Sequence, residues 1–207
     1  MTLHEIGLKY GTDKSTNHNF TPTYDLYLSP LKDQNLKLLE IGISEGPSLK
    51  MWEEYFQNSQ IVGVDILERS YMNTERIQTL VINQEKENEL LSIPGKFDII
   101  IDDGGHTMYQ QQLTLKVLFD PKLKRGGIYI LEDLHTSKDR YYSSHGSNPL
   151  NNTLNLLEDL KNGKLRENNQ YFINENDFNS LLNLIESIDI IETGEYSITS
   201  IIKKISE

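Results

Sequence analysis

A chain of 207 residues without a single cysteine excludes disulfides, thiolate metal sites and a Cys nucleophile, leaving oxygen and imidazole as the donors for any metal. Its formal net charge of −11, from 31 acidic against 20 basic residues with no Lys/Arg block, argues against nucleic acid or an anionic membrane surface as the main partner. The length suits one domain over residues 1–207, since such a chain buries roughly 70% of the surface it exposes when unfolded. No apolar run of about 18 residues and no charged-then-apolar leader is present, so a membrane span or export is not expected and the cytoplasm is the default location.

Residues 1–35 are too rich in Tyr and Phe for a disordered tail. They read as a helical cap, with a short helix over 3–10, a GTDK loop at 11–14 and a helix over 22–28. Residues 36–41 (LKLLEI) form the first core strand and run into GISEGPS, where Pro47 suits the first turn of a helix whose apolar face is Leu49, Trp52, Tyr55 and Phe56. The amides of that turn would face whatever sits above the glycine loop. The second strand, 61–65 (IVGVD), ends in Asp65, where such folds hold a ribose diol through a carboxylate.

A short third strand is expected at 79–82, then a polar turn, a brief helix and a Pro94-Gly95 break. The stretch FDIIIDDGGH at 97–106 is a buried parallel strand that delivers polar side chains at its carboxyl end. Tyr109, Leu113 and Val117 follow four apart on a helix, and KRGG turns the chain into a fifth strand, GGIYILED at 126–133. A second pair of carboxylates should therefore arrive beside the first, at the end of the sheet where open α/β folds put their chemistry. Residues 134–150 are polar and longer than an ordinary connection, which suggests a substrate lid whose Tyr141 and Tyr142 either stack on a ligand or only pack the lid down. Leu150, Leu154, Leu157 and Leu160 make a helical stripe, 178–185 another helix, and 187–191 with 196–203 a closing antiparallel hairpin. No internal repeat and no domain linker is visible.

With ExGxxxG at 40–46, Asp65, the aspartate-tipped fourth strand and the closing hairpin, the chain resembles the class I S-adenosylmethionine-dependent methyltransferases. Within that class, GTDK (11–14), TPxYD (21–25), LEIG (39–42), SLKMWEEYF (48–56), IDDGGH (101–106) and GGIYILEDLHTS (126–137) are similar to the metal-dependent sugar O-methyltransferases of the macrolide (mycinose-type) deoxysugar family. The resemblance implies a Rossmann-like α/β fold, a mostly parallel seven-stranded sheet with helices on both faces. It implies Mg²⁺ on Asp103, Asp133 and Asp25, with His106 as general base. It further implies S-adenosyl-L-methionine held by Glu40, Gly42, Ser44, Gly46, Ser48 and Asp65, with Lys14, Gln84 and Asp102 beside them. Gly105 stands where relatives often carry Ser.

The chemistry explains the residue types. A sugar hydroxyl is a poor nucleophile until a hard divalent cation acidifies and orients it, and such a cation prefers carboxylate ligands while keeping positions open for substrate. An imidazole can then take the proton near neutral pH, which a carboxylate already on a metal does poorly. The acceptor would be a sugar on a glycan, a glycoside or a nucleotide. On residues alone, Asp103 and His106 could instead cap the following helix, and Glu132 and Asp102 could face the cofactor's amino acid moiety. Catechol-type O-methylation, an NAD(P)-binding oxidoreductase built on the same βαβ unit, and a non-catalytic cofactor-binding module are the alternatives. The helices and lid are compatible with a homodimer.

Overall fold

A computed structural model describes residues 1–139, 149–194 and 196–206. The apolar runs become strands β1 (Lys37–Ile41), β2 (Gln60–Asp65), β3 (Ile77–Val81), β4 (Phe97–Asp102) and β5 (Leu123–Leu131), each parallel to its neighbours among these five. The chain closes on β6 (Ile185–Thr193) and β7 (Ser197–Lys204), an antiparallel hairpin whose β7 also runs antiparallel to β5. The sheet order is β3-β2-β1-β4-β5-β7-β6. Order therefore reverses between β1 and β4, and the loops leaving those strands part above the sheet, opening a crevice at their carboxyl ends.

Eight α-helices cover the described sheet: α1 (Leu3–Tyr10), α2 (Asp13–Thr16), α3 (Thr21–Leu28), α4 (Pro47–Tyr55), α5 (Glu87–Ser92), α6 (Met108–Phe119), α7 (Thr153–Asn162) and α8 (Glu175–Leu182). One face packs Leu3 of α1, Tyr24 of α3 and Trp52 of α4 against Leu38, Ile99 and Ile101. The other packs Leu118 of α6, Leu157 of α7 and Phe178 of α8 against Leu39, Ile100 and Tyr129. Helices of eight residues do not persist alone in water. Their stability comes from this docking, at about 1.5–3 kcal/mol for each large apolar side chain buried. At the start of α1, Thr2 and Glu5 complete a reciprocal cap.

Several boundaries differ from the sequence reading. The fifth strand begins three residues early, at Leu123, because KRGG is a bulge inside it, where the β4–β5 register shifts between Phe97 and Ile99. It also stops at Leu131, so Glu132 and Asp133 lie beyond its end. The third strand starts at Ile77, and part of the GTDK loop is the single turn α2. Ile185 opens β6 rather than closing a helix, and Leu150 lies in a 3₁₀ turn before α7. Of the expected lid, Leu134–Lys138 is a 3₁₀ turn, while Tyr141 and Tyr142 lie outside the described residues.

The segment after α7 is fastened by Asp159, which accepts from the Arg166 amide (2.9 Å), Arg166 Nε (2.9 Å) and Tyr171 Oη (2.8 Å). Burial raises the Asp159 carboxyl, but these donors outweigh it and hold the group below its usual range. A carboxyl lowered in the folded state adds stability above its unfolded pKa and loses it as pH falls through the lowered value. Asp159→Asn should therefore cost about 1–3 kcal/mol at pH 7, with the difference in melting temperature shrinking below about pH 4. An equal loss at pH 7 and pH 3 in thermal denaturation would contradict this.

Candidate active site

The site begins where two backbones touch. Gly42, after β1, has φ 80°, and a Cβ built there would lie 2.0 Å from the carbonyl oxygen of Asp103. The Asp103 amide donates to Ile41 O (2.9 Å), so the tip of β4 lies directly on the loop after β1. Asp65, at the end of β2, accepts from the amides of Ile43 (3.3 Å) and Ser44 (3.1 Å) through one oxygen and from Leu67 (2.9 Å) through the other. It thus ties the glycine loop to the next strand while also lining the cleft. Gly46 caps α4, and Pro47 opens it.

The resulting cavity, about 440 Å³, is lined by Gly42, Ser44, Asp65, Gln84, Asp103, His106 and Asp133 among others. Gln84 pins its floor, donating to Asp102 (2.7 Å) and Thr114 (3.0 Å) and accepting from the Gly105 amide (2.9 Å). Asp102 points into the sheet's other face, where Tyr129 Oη donates to it (3.0 Å), and burial pushes its carboxyl up to about 7. Glu40 and Ser48 lie beneath the loop, with Ser48 Oγ donating to Glu40 (2.9 Å). Burial raises Glu40 to about 7 as well. Of the residues implied for the cofactor, Gly42, Ser44, Asp65 and Gln84 stand on the cavity wall, whereas Glu40 and Asp102 sit one layer behind it.

Lys14 belongs to that hidden layer too. Its side chain is fully buried, and its Nζ donates to Asp103 Oδ2 and to Glu132 Oε2 (2.9 Å) and lies 3.3 Å from Glu40 Oε1. Burial opposes the ammonium, yet the three carboxylates hold its pKa well above the usual lysine value. Burial also pushes Glu132 well above the carboxylate range, against the pull of Lys14. The β4–β5 register pairs Asp102 with Leu131, so one step further along the sheet Asp103 falls beside Glu132.

Asp133 reaches the same place by another route. It leaves β5 with φ 54°, and His106 has φ 60°. Left-handed backbone at two non-glycine residues costs about 1–3 kcal/mol each and persists where the surroundings enforce it, most often at functional sites. His106 Nε2 lies 3.4 Å from Asp133 Oδ2 and 4.0 Å from Asp103 Oδ1, and Asp103, His106 and Asp133 each bring one ligand atom within 4.8 Å of the others. Asp133 Oδ1 faces His18 Nδ1 at 3.6 Å and His135 Nδ1 at 3.8 Å. Histidines scattered along the sequence thus converge on one carboxylate. Buried carboxylate oxygens without a hydrogen bond, Glu132 Oε1 and Asp133 Oδ1, are costly unless a cation answers them. The oxygen-rich donor set fits a hard divalent ion.

Asp25 does not join them. It lies on α3 and accepts from Tyr55 Oη at the carboxyl end of α4, whereas the amino end of α4 meets the glycine loop, about 12 Å away along the helix axis. The acid beside Asp103 is Glu132. Its sequence signal was the doubled carboxylate at both strand tips, Asp102-Asp103 and Glu132-Asp133.

No protein-family model matches the chain. It is 34% identical over 145 residues to the 8-demethyl-8-alpha-L-rhamnosyl tetracenomycin-C 2'-O-methyltransferase of Streptomyces olivaceus, covering 65% of this chain and 38% of that protein. It is 36% identical over 146 residues to the Mycinamicin VI 2''-O-methyltransferase of Micromonospora griseorubida, covering 65% and 36%. The MycE methyltransferase of the mycinamycin biosynthetic pathway, solved with Mg and SAH, matches 99% of this chain and 55% of its own with a TM-score of 0.82 and 27% identity. The chain is similar in sequence and fold to these O-methyltransferases.

It carries their class I methyltransferase fold, a mostly parallel seven-stranded sheet closed by an antiparallel hairpin. The chain spans little more than a third of the length of these sequence relatives. Among the described residues, no helix is long and apolar enough to cross a membrane.

The backbone contact at Gly42 can be isolated from its dihedral angle. Gly11 has φ 70° with nothing within 4 Å of an added Cβ, while Gly42 meets Asp103. Gly11→Ala should cost only the left-handed strain, of order 1 kcal/mol, whereas Gly42→Ala should cost several times as much. Equal losses in denaturant unfolding would remove the close approach from the description.

Proposed function

We propose that this chain is an S-adenosylmethionine- and Mg²⁺-dependent O-methyltransferase acting on a sugar hydroxyl. The observation that carries the reading is the cluster of Asp103, His106 and Asp133 at the rim of the cleft above Gly42. The relatives support it, being named as methyltransferases of sugar positions, and MycE as one solved with Mg and SAH.

Asp103 and Asp133, joined by Glu132 in place of Asp25, would hold the cation. When bound, that cation supplies acidity and orientation to a sugar hydroxyl, and S-adenosylmethionine in the cleft supplies an electrophilic methyl group. Ser44, Asp65 and Gln84 line the cofactor cleft, and the Gly42 approach leaves room for a ligand against the backbone. His106 takes the hydroxyl proton at Nε2, and Asp133, 3.4 Å away, steadies the imidazolium that forms. The left-handed backbone at both residues fixes these side chains before substrate arrives, and placement of reacting atoms can supply several kcal/mol of the barrier. The acidic balance of the chain supports a sugar-bearing small molecule over nucleic acid as partner. A cysteine-free composition needs no oxidising compartment, and we place the reaction in the cytoplasm.

The full chain, offered methyl-accepting glycosides and catechols with S-adenosylmethionine, should methylate the glycosides and lose activity in EDTA. His106→Ala should lower kcat by roughly 10²–10⁴ with binding of S-adenosylhomocysteine unchanged, and Asp25→Asn should leave Mn²⁺ affinity as it was. Transfer that survives both EDTA and His106→Ala would overturn the mechanism. Thermal stabilisation by NADH and not by S-adenosylhomocysteine would overturn the enzyme class.

A further inference from the structure

We propose that Lys14 is a positioning residue for the metal acids, an internal ammonium that turns the second oxygen of Asp103 and of Glu132 toward the cation. The inference rests on the metal reading above and concerns a residue that the GTDK motif had placed against the cofactor. Lys14 takes one oxygen from each acid, Asp103 Oδ2 and Glu132 Oε2. The oxygens it leaves are the ones that face inward or lack a partner. Asp103 Oδ1 lies 4.0 Å from His106 Nε2, and Glu132 Oε1 is buried with no hydrogen bond. A single fixed cation shared by two carboxylates sets the direction of both, much as outer hydrogen bonds orient metal ligands elsewhere.

Two further observations separate this role from simpler ones. Lys14 is fully buried and absent from the wall of the cofactor cavity, so it cannot reach a ligand there. It also meets three carboxylates where a structural ion pair needs one, the third being Glu40 at 3.3 Å. Glu40, Asp103, Glu132 and Asp133 bring four carboxyl groups to one end of the sheet. Lys14 meets three of them, and a divalent ion would favour the ionised form of those that ligate it. The lysine comes from α2, tied down by the Phe20 amide donating to the Lys14 carbonyl (2.7 Å). The N-terminal helices thereby complete the site from outside the sheet.

The test measures binding, with Mn²⁺ as the probe followed by electron paramagnetic resonance, on the full chain. Wild type must bind Mn²⁺; failure there would overturn the metal reading and this inference with it. Two variants are compared, Lys14→Met and the double variant Lys14→Met/Glu40→Gln, which removes a positive and a negative charge together. The proposal predicts that Mn²⁺ affinity falls about 10- to 100-fold in both, while in Lys14→Met the affinity for S-adenosylhomocysteine in EDTA is unchanged. Restored Mn²⁺ binding in the double variant would make Lys14 a charge balance only and overturn the positioning role. So would, in Lys14→Met, unchanged Mn²⁺ affinity or a loss of S-adenosylhomocysteine binding in EDTA. Collapse of the fold in both variants, read by circular dichroism, would make Lys14 a structural tie and overturn it equally.

Discussion

Carboxyl groups gathered out of water are the constraint from which the rest of this structure follows. Carboxylates at the ends of β1, β4 and β5 lie close enough to share one ammonium. In the interior such groups are expensive, and a buried ion pair recovers its desolvation cost only with good geometry and additional hydrogen bonds. Lys14 and Ser48 meet part of that requirement. Glu132 Oε1 and Asp133 Oδ1, which accept no hydrogen bond, mark the part left unmet. A fold selected for stability alone would have little reason to keep them. A fold that receives a hard divalent ion at this point would.

The sheet brings the acids together without long loops. The reversal of strand order between β1 and β4 opens the crevice, and parallel register carries successive tips to one level. The Gly42–Asp103 contact fixes how near the tip of β4 comes to the glycine loop. Asp65 serves that loop structurally, since both of its oxygens already accept backbone amides. Left-handed backbone at His106 and Asp133 then turns two side chains that a regular strand or helix would have sent elsewhere.

Strand content was legible because buried parallel strands read as unbroken apolar runs, as FDIIID does, and the closing hairpin showed in its alternation. What the residues could not reveal was register. Matching Asp103 with Asp133 treats the two tips as equally long, but the bulge in β5 and the end of that strand at Leu131 put Glu132 opposite Asp103. The sequence also names a lysine in GTDK without saying which way it points, and a side chain that enters the core between sheet and cap looks like any polar loop residue. Asp25 illustrates the converse: its motif is clear, but α3 presents it to Tyr55. His18 and His135 lie far apart in the chain, and only the fold places both against Asp133.

Anomalous diffraction from crystals grown with Mn²⁺ and S-adenosylhomocysteine would interrogate this arrangement most directly. A single strong peak at about 2.0–2.3 Å from one oxygen each of Asp103, Glu132 and Asp133 is the predicted result, with Lys14 Nζ on the opposite oxygens of the first two and the His106 ring outside the coordination sphere. A cation bound beside Asp25, or no ordered cation between the tips of β4 and β5, would contradict it.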